Sequence, residues 1–247
     1  MTLEKRFNLR GKVAAIAGGA GHLGSALAEA MAACGMQVFI LDAKASKGSG
    51  AIRGLRCDVT AKRDLAKCRD QIMKTHQRVD VLLNAAGTNA PVPFAAISPE
   101  EFDRIMHVNL LGTLHGCQVF GEAMLRRRVG SIINFASVSI GPPLSKAFLY
   151  SAAKAGVYNL TQNLAREWAG FGVRVNALRP GFFPTEWSMK HFIDAKRKAD
   201  ILRHTPMGRF GKPDELTGAV LWLASDAASF VTGSLVTVDG GFTAMTI

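Results

Sequence analysis

Short apolar runs rich in β-branched residues alternate along the chain with longer amphipathic stretches, the pattern of parallel strands covered by helices on both faces. The short runs predict strands over Val13–Ala17, Gln37–Asp42, Leu55–Asp58, Val79–Asn84, Ser131–Ala136, Val173–Leu178 and Ser234–Val238. The longer stretches predict helices over Leu23–Ala33, Ala61–His76, Pro99–Arg127, Tyr150–Ala169 and Pro213–Ala224. Ser98-Pro99-Glu100-Glu101 marks one helix start, with serine as cap, proline in the first turn and glutamate closing a capping box. Ser46-Lys47-Gly48-Ser49-Gly50 is too short and too rich in glycine for a crossover helix, so the second crossover is expected to be a loop. Thr185 to Arg203 reads as a helical excursion after Pro184, and residues 183–210 are expected to form a small lid. The whole predicts an α/β fold: one doubly wound parallel sheet of about seven strands, with no linker or internal repeat across residues 1–247.

Composition supports a sizeable core, since 48% of the 247 residues are hydrophobic and only 20% charged. No apolar run approaches the roughly 18 residues of a membrane span, and Met1 to Arg10 is charged rather than signal-like. A soluble, cytoplasmic protein without membrane contact is expected. Cys34, Cys57, Cys68 and Cys117 are widely spaced, which points to reduced, buried thiols and to neither metal nor redox centre. The net charge of +11 raises the question of nucleic acid. Only Arg126-Arg127-Arg128 and Lys196-Arg197-Lys198 are compact basic runs. Both read as solvated faces, the first at a helix C-terminus where cations suit the dipole. No nucleic-acid partner is expected; a small anionic molecule would exploit the same field.

Candidate chemistry begins directly after the first strand, where Ala17-Gly18-Gly19-Ala20-Gly21-His22-Leu23-Gly24 opens the first helix. Glycines here let backbone N–H groups and a helix terminus approach a pyrophosphate, and the strand-turn-helix context makes this a Rossmann-type dinucleotide signature. Asp42 ends the second strand, where a carboxylate accepts bonds from the adenosine ribose hydroxyls and repels a 2′-phosphate. NAD is therefore expected, with NADP the alternative that Lys44 leaves open.

Tyr150 and Lys154 stand four residues apart, on one face of a helix, with Ser137 upstream. A free phenol titrates near ~10 and is a poor base at neutral pH. Lowering that value by roughly three units needs about 4 kcal/mol of preference for phenolate, which a neighbouring cation in a partly dry site supplies. Phenols are not routine filler here, because the chain has fourteen Phe and only two Tyr.

Taken together, these residues closely resemble the short-chain dehydrogenase/reductase family from about Leu9 to Ala244. The family's T-G-x-x-x-G-x-G loop falls on Ala17 to Gly24, with Ala17 in place of threonine and His22 in place of the middle glycine. Asp58-Val59 matches its adenine pocket, Asn84-Ala85-Ala86-Gly87 its N-N/A-A-G turn, and Pro180-Gly181 with Thr185 the segment that clasps the nicotinamide. Val238-Asp239-Gly240-Gly241 is similar to its V-D-G-G ending. The resemblance implies cofactor contacts from Gly18, Gly21, His22, Leu23, Gly24, Asp42, Asp58, Val59, Asn84, Ala85, Ala86, Gly87, Tyr150, Lys154, Pro180, Gly181, Phe183 and Thr185. It also implies a catalytic set. Tyr150 exchanges a proton with the substrate oxygen, Ser137 hydrogen-bonds that oxygen, Lys154 lowers the tyrosine pKa and holds the nicotinamide ribose, and Asn109 holds a water of the proton relay. A homotetramer through the two long helices and the last strand is implied as well.

Position selects Asn89, Ser139, Lys146, Phe182, Trp187, Lys190 and His191 as candidates around the substrate. Arg179 joins Lys146, Lys190 and His191 as possible carboxylate partners. The Gly-Pro-Pro loop and the Pro-Gly-Phe-Phe-Pro-Thr-Glu-Trp segment most resemble the sugar-acid and polyol members, such as gluconate or mannonate oxidoreductases. Two alternatives stay open: a 3-oxoacyl-(acyl carrier protein) reductase using NADPH, and a nucleotide-sensing or nucleic-acid-binding protein on the same scaffold.

Overall fold

The structure, a computed structural model, describes residues 2–44, 48–191 and 193–245, with the side chains of residues 186, 187 and 191 left out. Seven parallel strands form one sheet in the order β3-β2-β1-β4-β5-β6-β7. These are β1 Val13–Ala17, β2 Gln37–Asp42, β3 Ile52–Arg56, β4 Val81–Asn84, β5 Gly130–Phe135, β6 Val173–Pro180 and β7 Leu235–Val238. The helices are α1 Leu3–Phe7, α2 His22–Ala33, α3 Lys62–His76, α4 Pro99–Met106, α5 Gly112–Arg127, α6 Phe148–Trp168, α7 Glu186–His191, α8 Ala195–Arg203 and α9 Thr217–Ala224. None of the helices among the described residues is long and apolar enough to cross a membrane.

β1, β4 and β5 are buried along their whole length, which explains why their sequences read as continuous apolar runs rather than alternating ones. Successive residues still part company across the sheet. Ala14 and Ile16 join Leu27, Met31, Leu216 and Val220 beneath α2 and α9, while Val13 and Ala15 join Leu65, Ile72, Phe120 and Trp168 beneath α3, α5 and α6. The chain runs outward from β1 to β3 and then crosses back to β4 on the other side of β1. That reversal opens a crevice beyond the carboxyl ends of β1 and β4, the place where such sheets bind ligands.

Several expected boundaries moved. β3 begins at Ile52 instead of Leu55, because this edge strand tolerates exposed Arg53 and Arg56 and pairs from Val38↔Ile52 onward. The long helix predicted over Pro99–Arg127 is interrupted by a π-helical turn at His107–Leu111, which periodicity does not reveal because both flanks stay amphipathic. Ser98 caps it as expected, accepting from Glu101 N at 3.2 Å. The crossover between β2 and β3 turns through Gly50 without a helix, although Ala45 to Lys47 lie outside the described residues. α1, capped by Thr2, was unforeseen in a charged segment.

Asp80 pins the amino ends of the three central strands. Its carboxylate accepts from Val13 N at 2.8 Å and from Arg78 Nε and Nη2 at 2.8 Å, with Arg127 Nη1 at 3.3 Å, while its backbone bonds Val13 O and Ser131 N. Burial pushes this carboxyl up, but the hydrogen bonds from Arg78 and Val13 and the charges of Arg78 and Arg127 outweigh it and hold the pKa below the ordinary range. Its stabilisation is therefore complete above the ordinary carboxylate pKa and is lost as pH falls through the depressed one. Asp80→Asn is expected to cost about 2 kcal/mol at pH 7 and to flatten the acid limb of stability. Urea unfolding between pH 3 and 7 checks this; a variant with the wild-type acid limb would refute it.

Candidate active site

The turn from β1 into α2 is built so that only glycine fits at its two ends. Gly18 has φ +79°, and a Cβ there would lie 2.5 Å from the Ala86 backbone. A Cβ on Gly24 would lie 2.5 Å from Gly18 O and 2.7 Å from Gly19 Cα. The helix thus sits directly on the turn, with Gly21 as its cap, and leaves a cradle of backbone at the crevice. Asp42 reaches over this turn from the end of β2, accepting from Ala20 N at 3.1 Å and from Lys44 N at 3.0 Å. The cradle and the acid beside it suit a dinucleotide, whose pyrophosphate needs close backbone approach and whose ribose needs an acceptor.

Other expected cofactor residues divide. Leu23, Ala85, Gly87, Pro180, Gly181 and Phe183 line one cleft of about 520 Å³ with Ser137, Tyr150 and Lys154, and Ala86 backs Gly18. Val59 packs where a Cβ on Gly112 would stand. Asp58 accepts from Thr60 N at 2.9 Å and Thr60 Oγ1 at 2.8 Å, closing the turn before α3. His22 is exposed at the start of α2. Asn84 points into the core, donating to Asn134 Oδ1 at 2.8 Å, while Asn134 donates to Thr161 Oγ1 at 2.9 Å; it braces β4, β5 and α6 instead of lining the cleft. Thr185 exchanges bonds with Ser188 at 2.8 and 2.9 Å, capping α7.

The four expected catalytic residues converge. Ser137, at the end of β5, has its Oγ accepting from Ser139 N at 3.2 Å. Lys154 lies in α6 below Tyr150, its Nζ 5.6 Å from the centre of the phenol ring and donating to Phe135 O at 2.8 Å. Asn109 is held in the π turn, its Nδ2 donating to Thr88 O and Ile105 O, each at 2.8 Å. A Cβ on Gly87 would sit 3.0 Å from Asn109 Oδ1 and 3.7 Å from Lys154 Nζ, so glycine keeps these two polar groups in reach of one another.

Burial acts on both members of the tyrosine–lysine pair. Desolvation brings Lys154, 2% exposed, down to about 8. Burial also raises the Tyr150 phenol, and the hydrogen bond with Ser137 only partly opposes that shift. Both groups lose hydration together, and each is shifted against its charged form.

Among the substrate candidates, Asn89, Ser139 and Phe182 line the cleft. Lys146 does not; it lines an adjoining vestibule, with Nζ 4.0 Å from Asp194. Lys190 is exposed on α7, and Arg179 donates to Thr237 at 2.8 Å. Trp187 and His191 stand on α7, with side chains outside the description. Leu144, in the expected loop from Ser139 to Lys146, lines it too, and Thr88, Ser188, Ile193 and Arg197 line it without having been singled out. Arg197 was legible only as part of a basic run read as a solvated face; in the structure it folds back onto Ser145.

A parallel sheet with a glycine turn at its reversal point and a serine, tyrosine and lysine gathered in the adjoining cleft is the frame of a nicotinamide-dependent oxidoreductase. The chain belongs to the short-chain dehydrogenase/reductase family: a family model described as enoyl-(acyl carrier protein) reductase matches residues 18–243. It is similar to a D-threitol dehydrogenase of Mycolicibacterium smegmatis, 35% identical over 98% of this chain and 97% of that one. It is also similar to an NAD-dependent glycerol dehydrogenase of Listeria innocua, 36% identical over 97% of each chain. A gluconate 5-dehydrogenase from Burkholderia cenocepacia, solved with NADP and tartrate, superimposes with a TM-score of 0.94 at 32% identity over 99% of this chain and 100% of that one. Within that family the chain resembles the sugar-acid and polyol members.

Proposed function

We propose that the protein interconverts a secondary alcohol and a ketone on a sugar acid or polyol, using NAD(H), with Tyr150 as general acid and base. The observation that carries this reading is the convergence of Ser137, Tyr150 and Lys154 beside the glycine cradle in one cleft. Gly18 to Gly24 would hold the pyrophosphate, Asp42 the adenosine ribose, Asp58 and Val59 the adenine side, and Pro180, Gly181, Phe183 and Thr185 the nicotinamide side. Bound there, a nicotinamide supplies the hydride acceptor or donor and, when oxidised, a positive charge near the phenol. In alcohol oxidation Tyr150 Oη takes the hydroxyl proton, and in ketone reduction it returns one. Ser137 Oγ hydrogen-bonds the reacting oxygen while its charge develops. Lys154 stabilises phenolate once Tyr150 has lost its proton, and Asn109, next to Lys154 across Gly87, connects the ammonium to a proton-carrying water.

Asp42 supports NAD, since its carboxylate stands where a 2′-phosphate would meet like charge. The NADP of the Burkholderia neighbour is the counterexample. The wild-type enzyme is expected to favour NAD over NADP at least about 10-fold in kcat/KM, and Asp42→Ser to shift that ratio about 30-fold toward NADP, by removal of roughly 2 kcal/mol of repulsion. Steady-state kinetics with both cofactors decide; a ratio unmoved by the substitution would remove Asp42 from the selection.

The acyl carrier protein and nucleic-acid readings each need a basic docking face, and the arginine run is dispersed. Arg126 pairs with Glu122 and Arg127 turns to Asp80, while Arg128 covers the Phe171 ring. The proposed molecule is a cytoplasmic homotetramer joined through α4, α5, α6 and β7, with α7 and α8 as the lid of a single domain. A panel of aldonates, uronates, polyols and 3-oxoacyl thioesters, followed at the reduced nicotinamide band, tests the assignment; activity confined to the thioesters would overturn it.

A further inference from the structure

We propose that Arg197 is the anchor for a substrate carboxylate, and that the Ser139 hydroxyl and the Asn89 amide oxygen receive hydroxyl groups of the same substrate. This rests on the dehydrogenase reading of the cleft and narrows its substrate to an acyclic polyhydroxy carboxylate.

Arg197 stands in the first turn of α8, whose start is fixed by Asp194 accepting from Arg197 N at 2.8 Å. Its side chain reaches across to the loop before Tyr150, donating from Nη1 to Ser145 Oγ at 2.6 Å and from Nη2 to Ser145 O at 3.0 Å. Both partners are neutral oxygens, and no carboxylate among the described residues lies within ion-pair distance of this guanidinium. A guanidinium carries five N–H groups, so donors remain after Ser145 is served. The cation is held in place at the wall of the cleft that contains Ser137 and Tyr150, and its other side faces the vestibule that Asp194 and Asp200 also line. That state suits planar, bidentate capture of a carboxylate.

Among the described side chains, the competing cations are committed elsewhere or stand outside the cleft. Lys146 is drawn toward Asp194 in the vestibule, Arg179 bonds Thr237 and Thr243, and Lys154 bonds Phe135 O beneath the phenol. The second observation is independent of charge. Ser139, 5% exposed, has a buried Oγ with no hydrogen-bond partner among the described residues, and the same holds for Asn89 Oδ1. Both residues line the cleft, and Asn89 is aimed by its own Nδ2 donating to Lys146 O at 3.2 Å. Buried polar atoms are rarely left unpaired in proteins, so two in one cleft mark positions that a ligand satisfies. A polyhydroxy acid offers hydroxyl groups for these atoms and an anion for Arg197; an alditol offers only the hydroxyls.

Calorimetric titration separates these terms. Aldonates (D-gluconate, D-mannonate, L-idonate) and their alditols are titrated into the NADH-saturated enzyme, so that binding is read without turnover. The wild type is expected to bind at least one aldonate about 10-fold or more tightly than its alditol. Arg197→Gln is expected to weaken that aldonate at least 10-fold and the alditol less than 3-fold, with Arg197→Lys intermediate. Ser145→Ala, which keeps the charge but loosens its support, should retain the preference for the anion, and Ser139→Ala should weaken acid and alditol alike. Equal weakening of both ligands by Arg197→Gln, or no aldonate preference in the wild type, would overturn the anchor. Should the binding pattern hold while no member of the panel is oxidised, the dehydrogenase assignment falls and the carboxylate site stands.

Discussion

Tyr150→Phe is expected to reduce turnover at least about 1,000-fold while leaving the dissociation constant of NADH within about 3-fold of wild type. Loss of a positioned acid and base costs roughly 10²–10⁴ in rate, and among the described side chains of the cleft no second titratable group stands ready, because Lys154 is bonded to Phe135 O at 2.8 Å. The phenyl ring keeps the packing of the cleft, so cofactor binding should survive. Rapid-mixing kinetics and NADH fluorescence titration measure the two quantities. A variant retaining a tenth of the activity would show that another group carries the proton. The same residue predicts a pH dependence. Since burial raises the phenol above its ordinary value, alcohol oxidation should accelerate as pH rises through the alkaline range, and ketone reduction, which needs the protonated phenol, should not. Parallel pH profiles in both directions would contradict this assignment.

Lys154→Met should be nearly inactive and yet more stable than wild type when no cofactor is bound. The native pKa of about 8 lies below the ordinary 10.5, a difference worth about 3 kcal/mol against folding while the lysine is charged. Loss of the hydrogen bond to Phe135 returns about 1 kcal/mol of that. The net gain of about 2 kcal/mol corresponds to roughly 5 °C in Tm for a chain of this size. The sign of the pH effect follows from linkage. Below the native pKa the ammonium is charged in both states and the full penalty applies. As pH rises from about 8 towards 10.5, the folded protein releases its proton first and the penalty fades. The stability advantage of Lys154→Met should therefore be full at pH 7 and largely gone by about pH 10.5. Calorimetric melts of the cofactor-free proteins across that range provide the comparison, and a variant less stable than wild type at pH 7 would show that the lysine bond outweighs its desolvation. Catalysis and stability would then oppose each other at a single side chain, as is common where function needs a buried charge.

The sheet was readable because each central strand is a continuous apolar run closed by a turn or a cap. β1 and β2 were predicted to the residue, since glycine follows the one and the apolar run of the other closes on Asp42. β3 was misplaced because, at an edge, pairing is decided by the neighbouring strand and not by hydrophobicity. The π turn at Asn109 was hidden for a related reason: one extra residue in a helix changes a carbonyl's partner without breaking the amphipathic pattern. Asn84 shows the limit of matching a turn. Its neighbours Ala85 and Gly87 reach the cleft, but its own side chain follows strand alternation into the core and serves Asn134.

From its residues alone, this protein is an α/β oxidoreductase with a glycine cradle after β1, an acid after β2, and a Tyr150–Lys154 pair on one helix. These are local facts, set by spacing along strands and helices, and local spacing is what a sequence displays. The protonation of Tyr150, the support of Lys154 by Phe135, and the separation of Arg197 from Lys196 and Lys198 emerge only from the folded chain. Each depends on which distant atoms remove water from a charge or bring an oxygen to it, and that is decided by packing between elements far apart in the sequence.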